Sequence, residues 1–64
     1  MPHVQITLLE GRSIEQKRKL VERITDVLVE EAGTAREGVA VSLIEVKADC
    51  YARGGVLIAD KNKK

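Results

Sequence analysis

The chain is 64 residues long, with 11 Lys plus Arg against 10 Asp plus Glu, one Cys, no Phe and no Trp. Balanced charge excludes the net basic face that nucleic-acid binding needs, and a single Cys excludes both an internal disulfide and a Cys/His structural metal site. A chain this short buries only about 60% of the surface it exposes when unfolded, so self-association is the stabiliser left to it, and one domain, 1–64, repeated in a homo-oligomer is expected.

"HVQITLL" (His3 to Leu9) alternates, with Val4, Ile6 and Leu8 on one face and His3, Gln5, Thr7 and Leu9 on the other. This period predicts a half-buried strand. "EGRS" reads as a turn. Ser13 with Gln16 three positions on is a capping-box signature, and Glu15 suits the positive end of a helix dipole. From Ile14, the apolar residues Val21, Ile24 and Leu28 recur at helical spacing, widened by Leu20, Val27 and Ala32. They predict a helix of about 18 residues that ends at Gly33. Thr34 and Glu37 repeat the capping-box spacing, so a short helical turn is expected there.

"VAVSLIEV" (Val39 to Val46) is predicted as a second strand that is largely apolar on both faces. One helix covers only one face of a two-stranded sheet, so the other face is expected to meet another copy of the chain. Gly54-Gly55 predicts a tight turn and "VLIA" a returning strand, together a hairpin that can pair with a neighbouring subunit. Two strands joined by a helical crossover run parallel with a right-handed connection. The expected fold class is therefore α+β, a β-α-β unit with a C-terminal hairpin.

No stretch approaches the roughly 20 apolar residues of a membrane span, and a strand pattern begins at once where a signal peptide would stand. The unpaired Cys50 fits a reducing compartment. A cytoplasmic protein with neither a membrane nor a nucleic-acid partner is expected, and the terminal "KNKK" reads as a solvated tail.

The usual catalytic constellations are missing. His3 is the sole histidine, so no histidine metal pair or triad can form within one chain, and it reads as a polar strand residue. Cys50 has no base beside it and reads as a small buried or inert thiol. Gly54-Gly55 is followed by neither a helix with Lys-Ser/Thr nor any other phosphate-loop feature. The amino terminus is different. If Met1 is removed, Pro2 presents a free secondary amine. Desolvation and nearby cations disfavour an ammonium, and an amine that is neutral near pH 7 is a competent general base whose conjugate acid returns the proton. Arg12, at the end of the first strand, could supply the cation and a fork for a substrate carboxylate.

"MPHVQITLLEGRSIEQKRKLVERIT" resembles the opening of the 4-oxalocrotonate tautomerase family. The likeness runs on through a two-sided strand ending in Glu and an aromatic residue ahead of Gly-Gly. The resemblance implies a homohexamer built as a trimer of dimers, with sites made from more than one subunit and no cofactor or metal. It implies a cofactor-independent isomerase of enol or dienol 2-oxo acids such as 2-hydroxymuconate, chemistry of aromatic catabolism, with a small carboxylate substrate as partner. Pro2 matches the catalytic amine that moves a proton between the 2-hydroxyl of a dienol and a distant carbon. Arg12 matches the arginine that binds a carboxylate, and Leu9 a position whose backbone N–H helps to place the substrate. Tyr51 falls where the family has a phenylalanine over the site. Ala40 departs from the pattern, since the family carries a second arginine there that polarises the 2-oxo end. Arg53 or Arg36 could stand in for it, or the substrate could need a single clamp. Alternatively, the chain is a weakly active partner subunit of a mixed oligomer. A hydratase- or dehalogenase-type activity, with protonated Pro2 as the acid, is the other reading.

Overall fold

The computed structural model describes residues 1–61; the "KNKK" tail beyond Lys61 lies outside the described residues. Strand β1 (His3–Leu9) leads into helix α1 (Ile14–Ala32), and β2 (Ala40–Val46) returns beside β1 in parallel. The expected β-α-β unit is therefore present. The register sets His3 against Ala40 and Leu9 against Val46.

The helix starts where the capping box places it. The Gln16 N–H donates to Ser13 Oγ at 3.2 Å, and the Ser13 N–H donates to Gln16 Oε1 at 2.9 Å. Two otherwise orphaned donors are thereby satisfied at once. At the far end Gly33 takes the left-handed conformation, φ 65°, which a glycine adopts without a Cβ penalty. The turn expected at Thr34 forms as a single 3-10 turn, Arg36–Gly38, but its cap is Ala35 and no side chain caps it. Thr34 instead sits one residue too early, its hydroxyl facing the Ala35 carbonyl at 3.5 Å.

Lys17 fixes which face of α1 meets the sheet, because its Nζ pairs with Glu45 of β2 at 2.7 Å. Val21, Ile24 and Leu28 share that face at helical spacing and are half-buried. The same pair explains how a glutamate occupies the helix-facing side of β2, opposite Leu8. A flank of the helix remains open, however. Leu20, Ile24 and Val27, with Gln16, Lys19 and Arg23, line a shallow groove of about 430 Å³.

After β2 come a 3-10 turn, Ala48–Cys50, and the hairpin of β3 (Ala52–Arg53) with β4 (Val56–Leu57), which are antiparallel. Gly54 and Gly55 both take positive φ, 57° and 83°, the two-residue turn that matches strand twist. The "VLIA" strand is shorter than expected. Only Val56 and Leu57 pair, and Ile58–Lys61 closes into one turn of helix, α2. The Ile58 N–H donates to the Tyr51 carbonyl at 2.8 Å, the next bond in the register of the hairpin, and the chain turns into α2 from that residue.

Among the described residues none is buried, and the chain has no enclosed core. Its accessible surface is 5020 Å², about 1,000 Å² more than the roughly 4,000 Å² of a compact monomer of this mass. Its radius of gyration is 15.1 Å, against about 11 Å for a compact domain. Val27 is 55% exposed and Ile14 59% exposed on the helix, while Val56 and Leu57 are exposed on the hairpin. The apolar pattern written in the sequence is folded but not covered. Among the described residues no helix is long and apolar enough to cross a membrane.

Candidate active site

Pro2 stands immediately before β1, half-buried. Its carbonyl accepts from the Ala40 N–H at 3.1 Å, so the first residue of the ladder needs no N–H of its own. This is the position in a strand where a proline is tolerated. With Met1 attached, the Pro2 nitrogen is an amide without basicity. The Met1 side chain lies over Gly38, where a Cβ would come 3.9 Å from Met1 Cγ. Removing Met1 both frees the amine and clears the surface beside that glycine.

Arg12 lies at the other end of the same strand. Its Nη1 donates to the Leu9 carbonyl at 3.1 Å, which holds the guanidinium near the turn without neutralising it. Seven residues of extended chain separate Pro2 from Leu9, about 23 Å at the usual rise. No small substrate reaches both groups of one chain. A site containing both must draw them from two copies.

Leu9 presents its backbone outward. Alternate residues of a strand bond to a given neighbour, and both the Pro2 carbonyl and the Glu10 N–H (to Val46, 2.9 Å) face β2. The N–H of Leu9, an odd-numbered residue between them, consequently faces the free edge of β1. Tyr51 is half-buried at the base of the hairpin, and Arg53 is exposed at its tip. Extended backbone places them on one side of β3, but the hairpin packs chiefly against its own flanking turns, so a single chain does not bring Arg53 to Pro2. Arg36 is engaged elsewhere: its Nη1 pairs with Asp26 of α1 at 2.7 Å.

The strand pattern did not reveal one contact at this end of the sheet. His3 Nε2 lies 3.0 Å from Ser42 Oγ, a cross-strand bond on the face that α1 leaves open. The signal was available only through the parallel register, which brings residues 39 positions apart side by side.

Cys50 is exposed rather than buried, although the turn that carries it packs against α2 and β4. Its Sγ lies 3.4 Å from Asp49 Oδ1. The hydrogen bond to Asp49 and that carboxylate's charge push the thiol above its ordinary value, so the thiolate that nucleophilic chemistry requires is disfavoured. Replacing Asp49 by Asn removes the charge and lowers the thiol pKa. Asp49→Asn is therefore expected to speed iodoacetamide alkylation of Cys50 several-fold at pH 8, read by intact mass against time. Among the described residues no group of three or more His, Cys, Asp or Glu side chains is placed to hold a metal ion.

Comparison with known proteins agrees with this geometry. The sequence matches the family described as tautomerase enzyme over residues 2–61. It is 42% identical over 60 residues to a 2-hydroxymuconate tautomerase of Bacillus subtilis (strain 168), covering 94% of this chain and 97% of that one. Among solved structures, a 4-oxalocrotonate tautomerase homologue superposes with a TM-score of 0.90 at 46% identity, covering 98% of this chain and 100% of the other. A heterohexamer 4-oxalocrotonate tautomerase from Chloroflexus aurantiacus J-10-fl superposes with a TM-score of 0.89 at 30% identity, covering 94% and 97%. A strand that opens on proline, an arginine at its far end and a fold shared over nearly the whole length place this chain in the tautomerase family of isomerases.

Proposed function

We propose that this chain is a cofactor-independent tautomerase of enol and dienol 2-oxo acids, of which 2-hydroxymuconate is the model substrate. It works as a homohexamer, a trimer of dimers, with the Pro2 amine of one copy acting beside Arg12 of another. The observation that carries this reading is the separation of Pro2 and Arg12 along β1 in a chain with no enclosed core. Self-association supplies both the missing burial and the missing neighbour.

In this mechanism the free Pro2 nitrogen takes the proton of the substrate's 2-hydroxyl. The O–H electrons move in to form the 2-oxo group, the double bonds shift along the chain, and the prolyl ammonium delivers its proton to the distant carbon. One O–H bond is lost and one C–H bond gained, with no net oxidation. The Arg12 guanidinium holds a carboxylate, the Leu9 N–H helps to place it, and Tyr51 packs over the site. Arg53 is an exposed cation that a neighbouring copy's hairpin could bring to the 2-oxo end.

Arg12→Ala is expected to raise KM for 2-hydroxymuconate ten- to hundredfold, the range for losing a hydrogen bond to a charged group, with a smaller change in kcat. An unchanged KM in steady-state ketonisation assays would remove Arg12 from the site. A second reading, a weakly active partner subunit of a mixed oligomer, is favoured by the bare methyl at Ala40 and by the heterohexameric relative. Native mass spectrometry of the purified chain separates them: a homohexamer with activity supports the first reading, and an inactive smaller species supports the second.

A further inference from the structure

Once Met1 is removed, residue 2 is the chain terminus, and rotation about its Cα–C bond moves only the pyrrolidine ring. The Pro2 carbonyl stays where the Ala40 N–H holds it, at 3.1 Å. The amine is therefore free to swing toward the next main-chain nitrogen without breaking the first bond of the sheet.

That nitrogen belongs to His3. The Pro2 carbonyl and the Glu10 N–H both bond to β2, and alternate residues of a strand bond to a given neighbour. The His3 N–H, like that of Leu9, thus faces the free edge of β1. The imidazole adds a further nitrogen. Its Nε2 lies 3.0 Å from Ser42 Oγ, and Nδ1 has no partner among the described residues. Nδ1 is the ring nitrogen that closes a chelate ring with the residue's own amide nitrogen, through Cα, Cβ and Cγ. The Pro2 amine closes a second ring with the same amide, through Cα and the carbonyl carbon. Room and charge both favour a cation here. Across the ladder Ala40 contributes only a methyl group, and the open face of these strands carries no Lys or Arg.

We propose that the processed terminus, Pro2-His3, binds one Cu2+ ion through the Pro2 amine, the His3 amide nitrogen and His3 Nδ1. Cu2+ favours a planar set of nitrogen donors and binds such donors more tightly than the other divalent first-row ions do. Three Cu–N bonds form and the His3 N–H bond breaks. Its proton, with the one carried by any prolyl ammonium, passes to the buffer, and the copper remains divalent. Water holds the remaining in-plane position. With Met1 attached the Pro2 nitrogen is an amide, so the chelate does not form. The site needs the removal of Met1 and not the role of Pro2 as the base. Where Pro2 is the base, bound copper occupies the lone pair on which turnover depends.

The test titrates CuCl2 into the assembled protein near neutral pH, with the loss of Met1 verified by intact mass. Cys50 is replaced by Ser throughout, because an exposed thiol is itself a soft copper ligand. One equivalent per chain is expected to bind, with a visible d–d band and nitrogen hyperfine structure in the electron paramagnetic resonance spectrum. His3→Ala is expected to weaken binding about a hundredfold, no less than the outer-shell partners of a metal ligand are worth. A chain with an amino-terminal tag, in which the residue 2 nitrogen stays an amide, is expected to lose as much. Unchanged affinity in either protein, or no stoichiometric binding by the processed chain, would overturn the site. If His3→Ala fails to fold, the tagged chain decides by the same criterion. Ketonisation of 2-hydroxymuconate is followed in parallel, and its loss on copper loading with recovery in EDTA supports both the site and Pro2 as the base. Full turnover by the copper-loaded protein would instead remove Pro2 as the base and leave the site standing.

Discussion

Pro2→Ala is expected to lower kcat for ketonisation of 2-hydroxymuconate by at least a hundredfold, within the roughly 10²–10⁴ that a positioned acid–base group contributes. The ring does two things that alanine cannot. It makes the nitrogen a secondary amine, and it fixes φ so that the lone pair keeps one direction relative to β1. The backbone contact survives the substitution, because the bond from the Ala40 N–H uses only the carbonyl of residue 2. A large loss of rate with an unchanged oligomer and an unchanged melting temperature would therefore report on chemistry rather than folding. Intact mass is the companion measurement, since the amine exists only in chains that have lost Met1. An unchanged kcat in such processed chains would refute Pro2 as the base.

The second large effect concerns where the site lies. Pro2→Ala and Arg12→Ala proteins, each assayed alone at low substrate, are expected to be nearly inactive. Unfolded together and refolded as mixed oligomers, they are expected to recover about a quarter of the wild-type kcat/KM, the share of sites that draw an intact residue from each parent in a symmetric assembly. The prediction follows from a separation of about 23 Å along β1 between Pro2 and Leu9, whose carbonyl holds the Arg12 guanidinium. Were both groups drawn from the same chain, mixing would give no more than the average of the two parents. The experiment also probes assembly, because a chain with no buried residue among those described has little reason to hold its shape alone.

Most of the local architecture is legible in the sequence alone. The capping box at Ser13 and Gln16, the glycine at the end of α1 and the alternation of His3 to Leu9 are short-range signals. Each depends on groups within four residues of one another, and each stands where expected. The misreadings share a cause. Thr34 had the right spacing for a cap, but the turn began one residue later at Ala35. "VLIA" had strand composition, but only Val56 and Leu57 pair before Ile58–Lys61 turns into α2. Cys50 read as a small buried or inert thiol, and it is exposed. Spacing and composition alone did not decide where each segment pairs or what covers it.

The candidate site divides along the same line. The sequence by itself nominated Pro2 and Arg12 for the proposed chemistry, because an amino-terminal proline and the family resemblance are both read from residue type and position. It also carried the expectation of association, since 64 residues without a disulfide, Phe or Trp leave little to bury. Only the tertiary structure decided that these two residues stand at opposite ends of one strand, that Arg36 is tied to Asp26, and that His3 meets Ser42 beside the bare methyl of Ala40. The reason is physical. Composition and period report what a residue can do and which face it takes, whereas reach, pairing and neutralisation depend on the register of segments far apart in the chain.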